Sequence, residues 1–204
     1  MLLFDEGYRS RHSVIAGIDE AGRGPLAGPL VAAAVVFPPG SDIKGVDDSK
    51  KLSSAKREEL YGRIAETSDS FSTGVVQPKE IDRLGMSLSV KLAFDRAADD
   101  LGLQVDLFLV DGLPVRNLEF KAEFIVKGDS KSLSIAAASI IAKVSRDRMM
   151  QKAHKLYPEY GFDSNKGYGT RRHLEAIRRS GPCPIHRMSF SPMSRRNQLR
   201  LPLE

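Results

Sequence analysis

The chain has 204 residues, 41% hydrophobic and 28% charged, the make-up of a globular protein long enough to bury a sizeable core. No apolar run approaches a membrane span, the opening MLLFDEGYRSRH does not read as a signal peptide, and the single cysteine, Cys183, excludes an internal disulfide and fits a reducing cytoplasm. The net charge of +5 is uneven: residues 150–204 hold 11 Lys and Arg against 4 Asp and Glu, the remainder 20 against 22, so a basic C-terminal region offers either a polyanion site or a solvated charged surface.

In chain order, SVIAGI (13–18) and PLVAAAVVF (29–37) read as strands joined by a Gly/Pro-rich link, the second closed by Pro38-Pro39-Gly40. A helix follows, with Ser53 as its N-cap and Leu60 and Ile64 on one face. FSTGVVQ (71–77) is a third strand. Residues 86–101 predict a longer helix, with Leu88/Leu92 and Ala93/Ala97/Leu101 at helical spacing and Gly102 just past its end. VDLFLV (105–110) and AEFIV (122–126) are the fourth and fifth strands. An alanine-rich helix then begins at Ser132 or Ser134, carries the stripe Ala137, Ile141, Val144, and stops at Pro158. The rest is basic and broken, with a short helix near 170–179. Clustered strands followed by alternation predict a mixed α/β sheet.

The acids fall at the ends of these elements. Asp19 and Glu20 close the first strand, Asp111 the fourth, and Asp129 precedes the alanine-rich helix, so all four can converge on one lip of a sheet, where ligands of open α/β sheets tend to bind. Four carboxylates repel one another and favour a counter-cation. Oxygen donors suit hard divalent ions, Mg²⁺ or Mn²⁺. His12, His154, His173 and His186 show no zinc spacing. Two such ions about 4 Å apart can activate a water and stabilise the leaving oxygen of a phosphodiester. An acid at a strand end is also an ordinary turn residue, and Asp129 could instead serve the helix N-terminus. Spacing leaves both readings open.

GRGPLAG (22–28) superficially resembles a dinucleotide-binding turn, but that motif needs a helix starting at the glycines. Here a strand follows, and a pyrophosphate would meet the acids. Glycines around Arg23 instead let the backbone approach a ligand closely.

Taken together, GIDEAGRGPLAGPLVAAAV, DDSKKLS (47–53), LVDG (109–112), KGDSKSLSIAAASIIAKVSRDRMM (127–150) and GYGTRRHLEAI…GPCPIHRMSF (167–190) resemble the bacterial type 2 ribonuclease H family, ribonuclease HII, over nearly the whole chain, with weak ends at about 1–10 and 191–204. The resemblance implies a ribonuclease H-like fold: a five-stranded mixed sheet flanked by helices, with a C-terminal helical portion. It implies endonucleolytic cleavage of RNA in RNA/DNA hybrids and cutting 5′ of ribonucleotides embedded in duplex DNA, leaving 3′-hydroxyl and 5′-phosphate ends. The family's metal-binding catalytic acids fall on Asp19, Glu20, Asp111 and Asp129, with Mg²⁺ or Mn²⁺ as cofactor. Its substrate-reading turn falls on Gly22, Arg23 and Gly24, and its junction-sensing tyrosine on Tyr168. The glycines beside Tyr168 suit an exposed turn better than a core position.

Lys50 offers a phosphate contact or is a surface lysine. Ser132, Ser134 and Ser139 either touch substrate or cap and pack, with Ser139 read as structural. His186 and Arg187 near the end could support the site but receive no firm role. The expected organisation is a single cytoplasmic domain, 1–204, acting as a monomer away from membranes, with an α/β core over about 12–157 and a basic substrate-binding portion over about 158–204. The sister type 3 family is disfavoured because it carries Gly-Lys-Gly in place of Gly-Arg-Gly and an extra N-terminal domain. A non-catalytic hybrid-binding module is the remaining alternative.

Overall fold

The computed structural model of the chain describes residues 1–46 and 52–194. The elements are α1 (Leu2–Arg9), β1 (Ile15–Ala21), β2 (Leu30–Val36), α2 (Ser54–Thr67), β3 (Ser70–Val76), α3 (Pro78–Leu84), α4 (Met86–Asp99), β4 (Leu107–Asp111), β5 (Ala122–Ile125), α5 (Leu133–Leu156), α6 (Phe162–Asn165) and α7 (Arg171–Ser180). Short 3-10 turns cover Gly128–Ser130 and Pro158–Tyr160. The strands form one mixed sheet in the order β3-β2-β1-β4-β5. β1, β2 and β3 pair antiparallel, while β4 runs parallel to both β1 and β5.

The period-2 alternation of β1 sorts its side chains between two helical layers. Ala16 and Ile18 join Ala32, Ala34, Phe108 and Val110 against Val90, Ala93, Phe94 and Ala97 of α4. Ile15 joins Leu107, Leu109 and Ile125 against Ile135 of α5, and Ala33 and Val35 of β2 meet the alanines of that helix. Gly17 makes the close approach possible: a methyl group there would lie 2.0 Å from the Ser134 carbonyl carbon. A third apolar cluster unites Ala27, Met150, Tyr160, Phe162, Ala176, Ile177, Cys183 and Met193. It fastens the C-terminal turns to the end of α5 and to the glycine-rich link.

All five expected strands form, each within two residues of its expected bounds at either end except where the sheet extends β1 to Ala21. Ser53 caps α2 by accepting from the Lys56 N–H, and Ser132, rather than Ser134, caps α5 by accepting from Ile135. Ser134 instead donates to Asp5 of α1 at 2.5 Å, a helix that local pattern did not reveal. α3 was equally hidden, because its pattern is too short to show periodicity; Gln77 and Glu80 form its capping box. Within α4, Leu88 departs from expectation: it is 55% exposed, since the sheet is covered by the Val90, Ala93, Phe94, Ala97 stripe.

Candidate active site

Asp19 and Asp111 lie one step past the last paired positions of their parallel strands, Ile18 and Val110. Both point to the α5 side, as the alternation of their strands requires. Glu20, the next residue, would point to the other face of an endless strand. β1 still pairs with β2 there, Glu20 opposite Ala32, but its β4 side is open beyond Ile18, so the two acids can straddle the lip. A cleft there of about 300 Å³ is lined by Asp19, Glu20, Asp111, the Gly22-Arg23-Gly24 turn, Arg57, Ser139, Lys143 and Tyr168. A second groove of about 690 Å³ continues from Glu20, Arg23 and Asp111 along α4.

The electrostatics of the cleft are frustrated. Asp19 is only 8% exposed; burial, then the charge of Glu20, then that of Asp111, push its carboxyl well above the usual range. The Ser139 hydroxyl and the Glu20 N–H, the latter at 2.7 Å, donate to Asp19 and offset part of this. Glu20 pairs with the Arg23 guanidinium at 3.1 Å. Asp111 accepts from the Gly128 N–H at 2.7 Å; the next residue, Asp129, is buried on the 3-10 turn and is not among the residues that line the cleft. Among the described residues no three His, Cys, Asp or Glu side chains are drawn together tightly enough to enclose an ion. The acids hold protein donors instead. Their all-oxygen chemistry and their stored repulsion fit a hard divalent cation.

The turn itself shows two kinds of glycine. Gly22 has φ +104°, and a methyl group there would strike the Arg146 Nε at 2.3 Å; the fold demands glycine. A methyl on Gly24 would meet only the Tyr168 ring, at 3.8 Å. Folding leaves that position free, so an approaching ligand is the better reason for its glycine. Tyr168 is 47% exposed at the mouth of the cleft, not a core tyrosine. Lys50 lies outside the described residues.

Several participants escaped sequence reasoning. Ser139 reaches Asp19, so it is not simply a packing residue. Arg57 and Lys143 bring positive charge to the cleft, Lys143 held by Asp147 at 2.7 Å. Their signal was faint: a cation on a helix face looks like any solvated charge. Beneath the turn, Arg146 and Arg187 are almost wholly buried, at 1% and 0% exposure. Arg146 donates to the carbonyls of Pro29, Lys166 and Ala27 at 2.9, 2.9 and 3.1 Å. Arg187 donates to those of Gly28, Arg23 and Gly22 at 3.0, 3.0 and 2.6 Å. Burial, and then the neighbouring Arg146, pull the Arg187 guanidinium down to about 9, so it still carries charge at neutral pH. Cys183 is buried with its thiol pushed up by burial to about 11, which fits packing and not nucleophilic work.

The chain is similar to known proteins over most of its length. The ribonuclease HII family profile matches residues 16–193. A ribonuclease HII of Desulfitobacterium hafniense is 52% identical over 179 residues, 88% of this chain and 69% of that protein. The crystal structure of the ribonuclease H2 from Pyrococcus horikoshii OT3 superposes with a TM-score of 0.76 at 31% identity, covering 91% of this chain and 98% of that one. Bst-RNase HIII in complex with Mn²⁺ shares the fold, with a TM-score of 0.71 at 19% identity over 91% of this chain and 70% of that one.

Proposed function

This chain belongs to the ribonuclease HII family and is a type 2 ribonuclease H endonuclease, and on that premise we propose that Asp19, Glu20, Asp111 and Asp129 hold its catalytic divalent cations while Gly22, Arg23, Gly24 and Tyr168 read the substrate. The observation that carries this reading is the buried, doubly repelled Asp19 facing an open cleft between the acids and Tyr168. Evolution of a stable fold alone gives no reason to keep such an arrangement.

Mg²⁺ or Mn²⁺ bound there would supply a charge sink for the scissile phosphate and ease deprotonation of water. The chain's own residues prepare that chemistry. Ser139 and the Glu20 N–H fix the orientation of Asp19. The Gly128 N–H does the same for Asp111. Arg23, its side chain 60% exposed, can exchange Glu20 for a substrate phosphate, which releases Glu20 Oε1 from that pair. Bare backbone at Gly22 and Gly24 allows a 2′-hydroxyl, the group that separates RNA from DNA, to come within hydrogen-bond reach. The open ring of Tyr168 offers a stacking face for the sugar or base across the junction. Arg57 and Lys143 add positive charge opposite the acids, and the basic residues from about 158 onward supply strand affinity. The substrates proposed are RNA/DNA hybrids and duplex DNA carrying ribonucleotides, cut on the 5′ side to leave 3′-hydroxyl and 5′-phosphate ends.

The test is a duplex with one embedded ribonucleotide, incubated with Mn²⁺ or Mg²⁺ and with EDTA, with product ends mapped. Cleavage is expected with metal only, and Asp111→Asn should bind the duplex without cutting it. Full activity of that variant, or cutting in EDTA, would overturn the assignment.

A further inference from the structure

The segment Cys183–Arg187 runs alongside the glycine-rich link. Ala27 and His186 form an antiparallel bridge. The Gly28 N–H donates to the Ile185 carbonyl at 2.9 Å, and the Arg187 N–H to that of Leu26 at 2.8 Å. From this rail two side chains reach in different directions. Arg187 takes the carbonyls of Gly22, Arg23 and Gly28. His186 meets His173 with their Nε2 atoms 3.0 Å apart, and His173 Nδ1 lies 2.8 Å from the carbonyl oxygen of Tyr168.

The protons of this chain of bonds can be placed by elimination. His186 Nδ1 lies 2.9 Å from the Cys183 backbone N–H, 3.1 Å from its Sγ and 3.3 Å from its carbonyl oxygen. The N–H makes the shortest of these contacts and can only donate, so with that bond made the nitrogen carries a lone pair and His186 is protonated on Nε2. The Tyr168 carbonyl can only accept, so His173 is protonated on Nδ1. His173 Nε2 is then left as the acceptor for His186 Nε2–H. This arrangement satisfies every nitrogen with both rings neutral; only a charged His186 would use the longer contact to the Cys183 carbonyl instead. Burial depresses the basicity of both, and the flanking rings of Tyr160 and Phe162 keep water away.

We propose that Cys183–Arg187 is a positioning strut that sets the spacing between the two halves of the substrate gauge: Arg187 fixes the Gly22-Arg23-Gly24 turn, and His186, acting through His173, fixes Tyr168. His173, His186 and Arg187 are positioning residues that touch no substrate. A rigid spacing matters because the turn senses one sugar and Tyr168 the next step of the duplex, and small misplacements of such groups cost rate steeply. The strut rests on the roles given above to the turn and Tyr168.

Two measurements test it. In the wild-type protein, imidazole ¹⁵N spectra should show one buried ring protonated on Nε2 (His186) and one on Nδ1 (His173); matching tautomers, or a charged ring at neutral pH, would overturn the strut. This readout requires no variant and no cleavage. The second compares kcat/KM for a lone ribonucleotide with that for a continuous hybrid. His186→Phe, which keeps ring volume but loses the bonds, should lower this ratio about tenfold, and His186→Gln, which restores a donor near the Nε2 position, should recover most of it. In a Tyr168→Ala background, His186→Phe should alter the ratio by less than about twofold. An unchanged ratio, or equal losses in both backgrounds, would sink the strut. If Tyr168→Ala alone leaves the ratio untouched, the reading of Tyr168 fails instead, and the tautomer pattern still decides whether the strut exists.

Discussion

Removing the Asp19 charge should make the protein more stable while it destroys activity. A like charge a few ångströms away costs up to about 4 kcal/mol at the effective dielectric of a protein surface, and Asp19 faces two of them, Glu20 and Asp111, while nearly buried. Asp19→Asn relieves both. The substituted amide oxygen still accepts from the Glu20 N–H, at the position where Asp19 does so at 2.7 Å, although a neutral acceptor keeps only about half the strength of a charged one. The net gain is roughly 1–2 kcal/mol in EDTA, which for a chain of this length raises Tm by about 2–8 °C. Saturating Mn²⁺ should reverse the order. A cation present at about 100 times its Kd stabilises the wild type by about 2.7 kcal/mol, and the variant should respond far less. Differential scanning calorimetry in EDTA and in Mn²⁺ reads both effects. A variant less stable than wild type in EDTA, with an undiminished Mn²⁺ response, would refute the argument that repulsion at Asp19 is stored for a cation.

Two further predictions follow from the same geometry. Gly24→Ala should leave thermal stability within about 0.5 kcal/mol of wild type yet cut cleavage of a lone ribonucleotide at least about tenfold, since its methyl would project toward the Tyr168 ring. Gly22→Ala should instead lose roughly 2 kcal/mol or more of stability, because of its positive φ and the clash with Arg146; equal behaviour of the two variants in denaturation would count against the distinction. On pH, His186 is held at about 4 by burial and then by His173, below its ordinary 6.5. The unfolded chain therefore binds protons first, and the stability is complete above about pH 6.5 and is lost progressively as pH falls toward about 4. Asp19, raised by folding, acts with the opposite sign, so denaturation midpoints at about pH 7 and about pH 5 are best compared in Asp19→Asn. A His186→Phe partner showing the same pH loss would exclude His186 as its source, leaving His173, which burial also depresses.

Much of the architecture is written in local pattern. The strands are β-branched or alanine runs punctuated by Gly and Pro, Ser53 and Ser132 cap their helices as serines do, and Asp19, Glu20 and Asp111 stand at strand ends because side chains within the central strands β1, β2 and β4 are buried on both faces. The motifs themselves were enough to suggest the family. α1 and α3 escaped notice because they are short and their stability comes from tertiary partners: Ser134 for Asp5 of α1, and Arg96, 2.8 Å from Glu80 of α3. Leu88 was misplaced because spacing predicts a shared face but cannot say which of two stripes meets the sheet.

What the sequence determined on its own, then, is which residue types end each strand and turn, since backbone conformation and burial of short segments follow from side chains a few positions apart. Only the tertiary structure decided which of those residues meet. Asp19 and Asp111 become neighbours through the parallel register of β1 and β4, and Arg187 reaches the carbonyl of Gly22 across 165 positions of chain. His186, given no firm role by its neighbours in sequence, acquires one only through His173. Contacts of that kind depend on chain closure over long loops, and no local rule of spacing contains them.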